Sequence, residues 1–235
     1  NHKFTRDPVK KVNADFGIAF DGDFDRCFFF DENGRFVPSE YIVGLLAKNF
    51  LEKEPGAKIV HDPRAILNTQ DMIKKSGGIP VLSKTGHVFI KKIMRDTGAI
   101  YGGELSAHHY FRDFSFCDSG MIPWLLIARL LSKSKRPLSD WVENRFSFFP
   151  SSGEINFIVT DTNQTISKIL EQYKSKALEI DKTDGVSLSF EKWRFNLRSS
   201  NTEKLVRLNV ESIGNVDVLH KKVTELSEAI GGIRA

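Results

Sequence analysis

The sequence predicts a layered α/β domain followed by a smaller α+β domain with a mainly antiparallel sheet. As far as about Phe149, helix and strand patterns alternate along the chain. The helices are predicted over 41–52, 67–76, 88–96 and 119–133, and the strands over 17–20, 27–30, 58–61, 79–83 and 100–101. Beyond that point strands cluster and helices flank them, which is typical of an α+β domain. Here the strands are predicted over 154–160, 186–190, 193–197 and 205–211, and the helices over 165–176 and 216–230.

The change of pattern marks a predicted domain boundary. It falls at Pro150-Ser151-Ser152-Gly153, a small, polar, breaker-rich stretch that indicates a linker. The chain also begins without Met, and only about a dozen residues precede a predicted strand. This abrupt start suggests a fragment of a longer protein.

Composition excludes several classes of function. The chain has 235 residues, 40% of them hydrophobic, which is typical of a globular protein with a buried core. Its 34 basic and 30 acidic residues are interspersed, which is too balanced for nucleic acid as the main partner. The polar segment 1–8 is no signal peptide, and the most apolar stretch, 121–131, is too short to cross a membrane. Cys27 and Cys117 lack metal-ligand spacing, so free thiols and a cytoplasmic location are predicted.

The most informative motif is Asp21-Gly22-Asp23-Phe24-Asp25-Arg26, in which carboxylates at alternate positions precede an arginine. Mg²⁺ takes a few carboxylates and leaves positions for phosphate oxygen and water. Without a cation the three aspartates would repel one another, so we predict that Asp21, Asp23 and Asp25 bind Mg²⁺ beside a phosphate. A calcium loop over 21–32 has the right length, but Arg26 stands where such loops need glycine.

Three further loops have unusual polar composition. Ser83-Lys84-Thr85-Gly86-His87 lies between a predicted strand and helix, where ligands and anions often bind, although His87 is equally consistent with a helix-capping role. The stretch 102–109 gathers Glu104, Ser106, His108 and His109 on a glycine-led turn and suits sugar hydroxyls. In the second domain, Arg198-Ser199-Ser200-Asn201-Thr202-Glu203 is a candidate phosphate loop, with an ordinary hairpin turn as the alternative.

In these motifs the chain resembles the C-terminal part of the α-D-phosphohexomutases, and most closely the bacterial phosphomannomutases. The family's metal loop DGDGDR is similar to residues 21–26, with Phe24 in place of the middle glycine. Its KTGH segment is matched at 84–87, and its phosphate loop RxSNT at 198–202. Its sugar loop GEMSGH is matched at 103–108, with Leu105 for Met and Ala107 for Gly. Family members have four domains, and the likeness covers nearly the whole chain.

The resemblance implies a domain organisation and a set of functional residues. Residues 1–34 would be the tail of the second domain with its metal loop, 35–150 the sugar-recognition domain, and 151–235 a fourth domain similar to the TATA-box-binding protein. Catalytic roles are implied for Arg26, Arg64, His87 and His108. Substrate-binding roles are implied for Lys84, Thr85, Gly86, Glu104, Ser106, Arg198, Ser200, Asn201 and Thr202. Metal ligation is implied for Asp21, Asp23 and Asp25.

The resemblance also implies an activity that this chain would share with missing N-terminal domains. The family's Ser-His-Asn-Pro loop, whose serine carries the transferable phosphoryl group, is absent from the sequence. We therefore expect a phosphomannomutase that acts on hexose phosphates with Mg²⁺ and a hexose 1,6-bisphosphate activator, serves polysaccharide synthesis, and is inactive as this chain alone. Nucleic acid and membrane partners are not expected.

Three other functions remain open. A phosphoglucomutase, or an enzyme for both epimers, has the same motifs. A haloacid-dehalogenase-type phosphatase would use Asp21 as nucleophile, but it leaves the other loops unexplained. A non-catalytic module that binds sugar phosphates would bind them tightly as this chain alone.

Overall fold

The computed structural model describes residues 2–200 and 203–235. These residues form two compact units. The first comprises the residues up to Asp62 together with Asn68–Arg145, and the second comprises Pro63–Leu67 together with Phe146–Ala235. The short segment Pro63–Leu67 therefore belongs with the C-terminal unit, although it is distant from it in sequence.

A small antiparallel sheet opens the first unit. It contains β1 (Phe16–Phe20), β2 (Cys27–Asp31) and β3 (Phe36–Val37) in the order β1-β2-β3, and helix α1 (Lys3–Val12) precedes it. Phe20 pairs with Cys27, so residues 21–26 form the hairpin loop between β1 and β2. Both predicted strands are confirmed. Sequence reasoning missed α1, because this helix is polar, contains Pro8 and buries only Val9 among its residues.

The main sheet of the first unit is mixed, with the order β5-β4-β6-β7-β8. Its strands are β4 (Lys58–His61), β5 (Ile79–Leu82), β6 (Tyr101–Gly103), β7 (His109–Phe111) and β8 (Cys117–Asp118). β4 is parallel to β5 and β6, whereas β7 and β8 continue the sheet antiparallel. The helices are α2 (Ser39–Leu51), α3 (Leu67–Lys75), α4 (His87–Thr97), α5 (Met121–Ser134) and α6 (Leu138–Phe148).

This arrangement confirms the predicted α/β alternation and positions two loops. The parallel strands β5 and β6 end at the same edge of the sheet, so the loops that follow them, 83–86 and 104–108, emerge together. Val60, Ile90 and Met94 are fully buried in the core beneath. The short strands β7 and β8, and helix α6, were not predicted.

The second unit contains an antiparallel sheet with the order β10-β11-β12-β13-β9-β14, which confirms the predicted α+β class. Its strands are β9 (Ser151–Ile158), β10 (Glu179–Asp181), β11 (Val186–Ser189), β12 (Trp193–Ser199), β13 (Leu205–Ser212) and β14 (Ile233–Arg234). Helices α7 (Thr162–Tyr173) and α8 (Val216–Ile230) cover it around a core that includes Leu188, Phe195 and Leu208. Asp161 and Asn215 cap the two helices by accepting main-chain N–H hydrogen bonds.

The predicted linker at Pro150–Gly153 is wrong in part, because β9 begins at Ser151. The register of β9 against β13 shifts between Asn209 and Glu211, and Gly153 has a φ of 65°. The main-chain N–H of Val210 donates to Ser152 Oγ at 2.9 Å. The small polar residues thus form a β-bulge and not a linker. Both structures favour small residues and glycine, so the sequence pattern does not distinguish them.

Within the described residues, no helix combines the length and apolar character required to span a bilayer. Cys27 and Cys117, both in described segments, are free, as predicted. Burial raises the pKa of the Cys27 thiol to about 12. Cys27 is therefore an unreactive part of the core rather than a nucleophile.

Candidate functional site

The hairpin loop between β1 and β2 gathers the predicted metal ligands. One carboxylate oxygen from each of Asp21, Asp23 and Asp25 lies within 4.8 Å of the other two. Asp23 is exposed, whereas Asp21 and Asp25 are half-buried. Three anionic oxygens at this spacing form a partial shell that suits a small divalent cation.

Arg26 is bound to this carboxylate group. Its Nε lies 2.5 Å from Asp21 Oδ2 and 3.7 Å from Asp25 Oδ1, and its main-chain N–H donates to Asp21 Oδ1 at 3.2 Å. Burial alone would raise the pKa of Asp21, but the hydrogen bonds and charge of Arg26 outweigh it and lower the pKa. Both oxygens of Asp21 accept hydrogen bonds from Arg26, which fix the orientation of this carboxylate.

The predicted sugar loop is joined directly to the metal loop. Arg26 and His108 form an antiparallel bridge, and the N–H of Cys27 donates to the carbonyl of Ala107 at 3.4 Å. His108 Nε2 lies 3.3 Å from Asp25 Oδ2, and its Nδ1 lies 3.0 Å from Ser106 Oγ. The imidazole of His108 is thus in hydrogen-bonding range of a hydroxyl on one side and of a metal-loop carboxylate on the other.

Glu104 connects the sugar loop to the loop that precedes α4. Its side chain is 2% exposed. Its Oε1 accepts from the N–H of Gly86 at 2.8 Å, and its Oε2 accepts from the Tyr110 hydroxyl at 2.7 Å. The next residue in the loop is also fixed, because the N–H of Leu105 donates to Asp62 Oδ2 at 2.7 Å. These contacts fix the relative positions of Gly86 and Glu104.

The remaining residues of the 84–87 segment lie around the start of α4. His87 is the first residue of that helix and is exposed, so its ring has access to solvent. Lys84 is also exposed, with Nζ 5.7 Å from the centre of the Phe89 ring. Gly86 has a φ of 117°, a conformation that strongly favours glycine. Thr85 is half-buried between them.

Sequence reasoning missed Asp118 and Lys91. A carboxylate oxygen of Asp118 lies within 4.8 Å of ligand atoms of both Asp25 and His108. Lys91 Nζ lies 2.7 Å from Asp118 Oδ1, and its hydrogen bond outweighs burial, so the pKa of Asp118 is lowered. A single Asp at the end of the short strand β8 carried no signal that could have indicated this contact.

His109 differs from its neighbour His108, because its ring is in the core. It is fully buried, with Nδ1 2.7 Å from the Tyr101 hydroxyl oxygen. Burial, and secondarily the charge of His108, lowers the pKa of His109 to about 3. Of the two histidines in this loop, only His108 contacts the carboxylates of the metal loop.

Buried His109 predicts a pH-dependent stability. In the unfolded chain the imidazole takes up a proton below its ordinary pKa of 6.5, whereas the folded state keeps it neutral down to about 3. Stability is therefore lost as pH falls from 6.5, and we expect the unfolding free energy of the first unit to be about 2 kcal/mol lower at pH 5 than at pH 7 from this group. In urea denaturation, His109→Gln should not show this difference in unfolding free energy between pH 5 and pH 7. His220→Gln, which removes an exposed imidazole on α8, should retain it.

Two positions at which the chain departs from the family's glycines have left-handed backbone. Phe24 has a φ of 63° and Ala107 a φ of 69°. A residue with a side chain is strained in this conformation by roughly 1–2 kcal/mol. Glycine avoids the strain but loses more conformational entropy on folding, which offsets part of that gain. We expect Phe24→Gly to be more stable than Phe24→Ala by about 1 kcal/mol, since both lose the exposed ring and only one keeps the strain. Thermal denaturation of the two variants measures this difference, and equal stability would contradict it.

In the second unit, three guanidinium groups surround the carboxylate of Glu154 on β9. Arg198 Nη2 lies 3.1 Å from Glu154 Oε2, Arg207 Nη1 lies 3.3 Å from Oε1, and Arg64 Nη1 lies 3.7 Å from Oε2. Arg198 and Arg207 are directly opposite each other on β12 and β13, where like charges repel unless an anion lies near. The cluster is positively charged and suited to an anionic ligand. Neither Glu154 nor its contacts with the arginines were predicted.

Ser200 belongs to the same cluster. Its Oγ accepts from Arg207 Nη2 at 3.3 Å and from the N–H of Glu203 at 3.3 Å. Asn201 and Thr202, which were also predicted to bind substrate, lie outside the described residues. The predicted site residues therefore fall into a metal and sugar group in the first unit and an arginine group in the second.

These folds and polar groups define a class of protein, because both units have the architecture of the third and fourth domains of phosphohexomutases. The family model described as phosphoglucomutase/phosphomannomutase, alpha/beta/alpha domain III, matches residues 38–149. The model described as the phosphoglucomutase/phosphomannomutase C-terminal domain matches residues 154–228. The chain belongs to the phosphoglucomutase/phosphomannomutase family, which confirms the resemblance seen in its motifs.

Individual relatives agree with this assignment. A phosphomannomutase of Escherichia coli is 57% identical over 94% of this chain and 49% of its own length. A solved structure of a phosphoglucomutase/phosphomannomutase family protein from Burkholderia thailandensis has a TM-score of 0.82 at 26% identity, over 97% of this chain and 50% of that one. A structure of N-acetylphosphoglucosamine mutase from Aspergillus fumigatus with GlcNAc-6P and magnesium has a TM-score of 0.67 at 14% identity, over 96% of this chain and 52% of that one, a likeness of fold alone. The chain spans about half the length of the curated relatives it matches.

Proposed function

We propose that this chain is the metal-, sugar- and phosphate-binding part of a phosphomannomutase. In the complete protein it would interconvert mannose 6-phosphate and mannose 1-phosphate. The observation that carries the proposal is the junction of the metal loop and the sugar loop, with His108 Nε2 3.3 Å from Asp25 Oδ2. The name phosphomannomutase on relatives more than half identical to this chain supports the choice of mannose.

The donor set of the metal loop fits Mg²⁺. Asp21, Asp23 and Asp25 offer only oxygen ligands, and their oxygens lie within 4.8 Å of one another. A related mutase of the same fold was solved with magnesium. When bound, the ion would neutralise charge on phosphoryl oxygens during transfer. Arg26 would hold the Asp21 carboxylate in place for this role.

The chain's own residues would bind and orient the sugar phosphate. Glu104, which accepts hydrogen bonds from the N–H of Gly86 and from the Tyr110 hydroxyl, would also accept one from a sugar hydroxyl. His108 would transfer a proton to or from the reacting hydroxyl, with Ser106 orienting its ring through Nδ1. In the second unit, Arg198, Arg207 and Arg64 would bind the phosphate that is not being transferred.

The phosphoryl donor would be a phosphoserine supplied by N-terminal domains. Transfer of its phosphoryl group to a hydroxyl of a hexose monophosphate gives a hexose 1,6-bisphosphate and a free serine. Return of the other phosphoryl group from this intermediate restores the phosphoserine and releases the isomeric monophosphate. A hexose 1,6-bisphosphate supplied from solution would keep the serine phosphorylated. A role in polysaccharide synthesis and a cytoplasmic location stay predictions.

The experiment that tests this proposal compares epimers on the complete protein. We expect kcat/KM for mannose 1-phosphate to exceed that for glucose 1-phosphate, both measured with Mg²⁺ and glucose 1,6-bisphosphate. A clear preference for glucose would replace the proposal by a phosphoglucomutase. Hydrolysis of an aryl phosphate that is lost in Asp21→Asn would instead indicate a phosphatase.

A further inference from the structure

A buried ion pair crosses the sheet of the second unit. Arg194 on β12 is directly opposite Glu211 on β13, and Arg194 Nη1 lies 2.6 Å from Glu211 Oε2. Both side chains are 2% exposed. Withdrawing two charges from water is costly, and their attraction repays the cost only when further hydrogen bonds satisfy the remaining donors and acceptors. The other partners of this pair therefore indicate what it does.

Those partners are main-chain groups of the segment Pro63–Leu67. Glu211 accepts from the N–H of Ile66 and from the N–H of Leu67, each at 2.9 Å. Arg194 Nη2 donates to the carbonyl of Pro63 at 2.8 Å, and its Nη1 lies 3.3 Å from the carbonyl of Arg64. The ion pair thus binds main-chain donors and acceptors of a segment that pairs with no strand and whose last residue, Leu67, begins α3.

This segment carries Arg64, whose side chain is 5% exposed and reaches the Glu154 carboxylate. The bound groups lie on both sides of the Arg64 Cα, because the carbonyls of Pro63 and Arg64 bind Arg194, and the following amides bind Glu211. We propose that Arg194 and Glu211 are positioning residues, which hold the Arg64 guanidinium beside Arg198 so that the two bind one phosphate. The inference rests on the proposed function in taking that cluster as a phosphate site.

Two measurements on the present chain test this role without any need for turnover. The first is amide hydrogen exchange at Ile66 and Leu67, compared with Leu208 in the middle of β13. The second is the affinity for inorganic phosphate, followed by nuclear magnetic resonance. The variants are Glu211→Gln, which keeps the size of the side chain and removes its charge, and Arg194→Lys, which keeps the charge and removes the fork of donors. Leu188→Ala, which removes buried methyl groups from β11, is the control for general loss of stability.

We expect Glu211→Gln to accelerate exchange at Ile66 and Leu67 by about tenfold relative to Leu208 and to weaken phosphate binding by about tenfold. Arg64→Ala should weaken phosphate binding while both amides stay protected. Leu188→Ala should accelerate hydrogen exchange at the three amides by a similar factor. Its phosphate affinity should stay within about twofold of the wild-type value.

Exchange at Ile66 and Leu67 that only follows Leu208 would overturn the proposal. So would an unchanged phosphate affinity in Glu211→Gln, or a wild-type chain that binds no phosphate. An inactive complete protein would remove the proposed mutase function and leave these two results to decide the role of the ion pair on their own.

Discussion

Replacing Asp23 by asparagine in the complete protein is expected to lower kcat/KM for mannose 1-phosphate on the order of a hundredfold or more. Asp23 is the exposed member of the carboxylate group, whereas Asp21 binds Arg26 and Asp25 lies near His108. Its replacement would therefore remove the negative charge of one proposed metal ligand and leave the contacts of Asp21 with Arg26 and of Asp25 with His108 in place. Calorimetry of the present chain should show a corresponding loss of Mg²⁺ affinity.

Asp96→Asn is the matched control. Asp96 is an exposed carboxylate in the same unit, paired with Lys92 one turn earlier on α4, and pairs of this kind contribute little to stability. Its replacement should leave Mg²⁺ binding and kcat/KM unchanged. An Asp23→Asn protein that keeps wild-type Mg²⁺ affinity would contradict the assignment of the loop as a metal site.

Arg198→Ala should weaken binding of phosphate-bearing substrates on the order of a hundredfold, because truncation removes a buried charged donor from the proposed phosphate site. Arg198 is 5% exposed, and its Nη2 lies 3.1 Å from Glu154 Oε2. Arg198→Lys keeps the charge but loses the planar fork of donors, so we expect an intermediate affinity. The effect should be seen as a raised KM for mannose 1-phosphate.

The exposed Arg234 on β14 provides the control for this variant. Arg234→Ala also removes one positive charge from the second unit. Comparing the two variants therefore separates the loss of Arg198 from the change in net charge. Salt should weaken phosphate binding to the wild type more than to Arg198→Ala. If Arg234→Ala raised KM as much as Arg198→Ala, the arginine cluster would be no specific phosphate site.

The candidate site residues whose proximity could be predicted from the sequence are local in the chain. Asp21, Asp23 and Asp25 lie in one hairpin loop, so their spacing alone required them to be near one another. The proximity of Glu104, Ser106 and His108 could be predicted for the same reason, because all three follow the end of a single strand. In such cases a motif carries both the chemistry and most of the geometry.

The residues that sequence missed act across long separations. Asp118 lies near Asp25 and His108, although it is far from Asp25 in the sequence. Glu154 contacts arginines that lie on other strands or in the Pro63–Leu67 segment. The pairing of Arg194 with Glu211 depends on the register of β12 against β13, which no periodicity in the sequence reveals. The linker at Pro150–Gly153 was misread for another reason, since a β-bulge and a linker use the same small residues.

The most direct test of the central claim compares the present chain with the complete protein in an assay for mannose 6-phosphate formed from mannose 1-phosphate. Both would be supplied with Mg²⁺ and glucose 1,6-bisphosphate. We expect turnover by the complete protein and none by the chain, because the Ser-His-Asn-Pro motif that would carry the phosphoryl group is absent from its sequence. Measurable turnover by the chain alone would contradict the assignment of these residues as the binding half of a phosphoserine-dependent mutase.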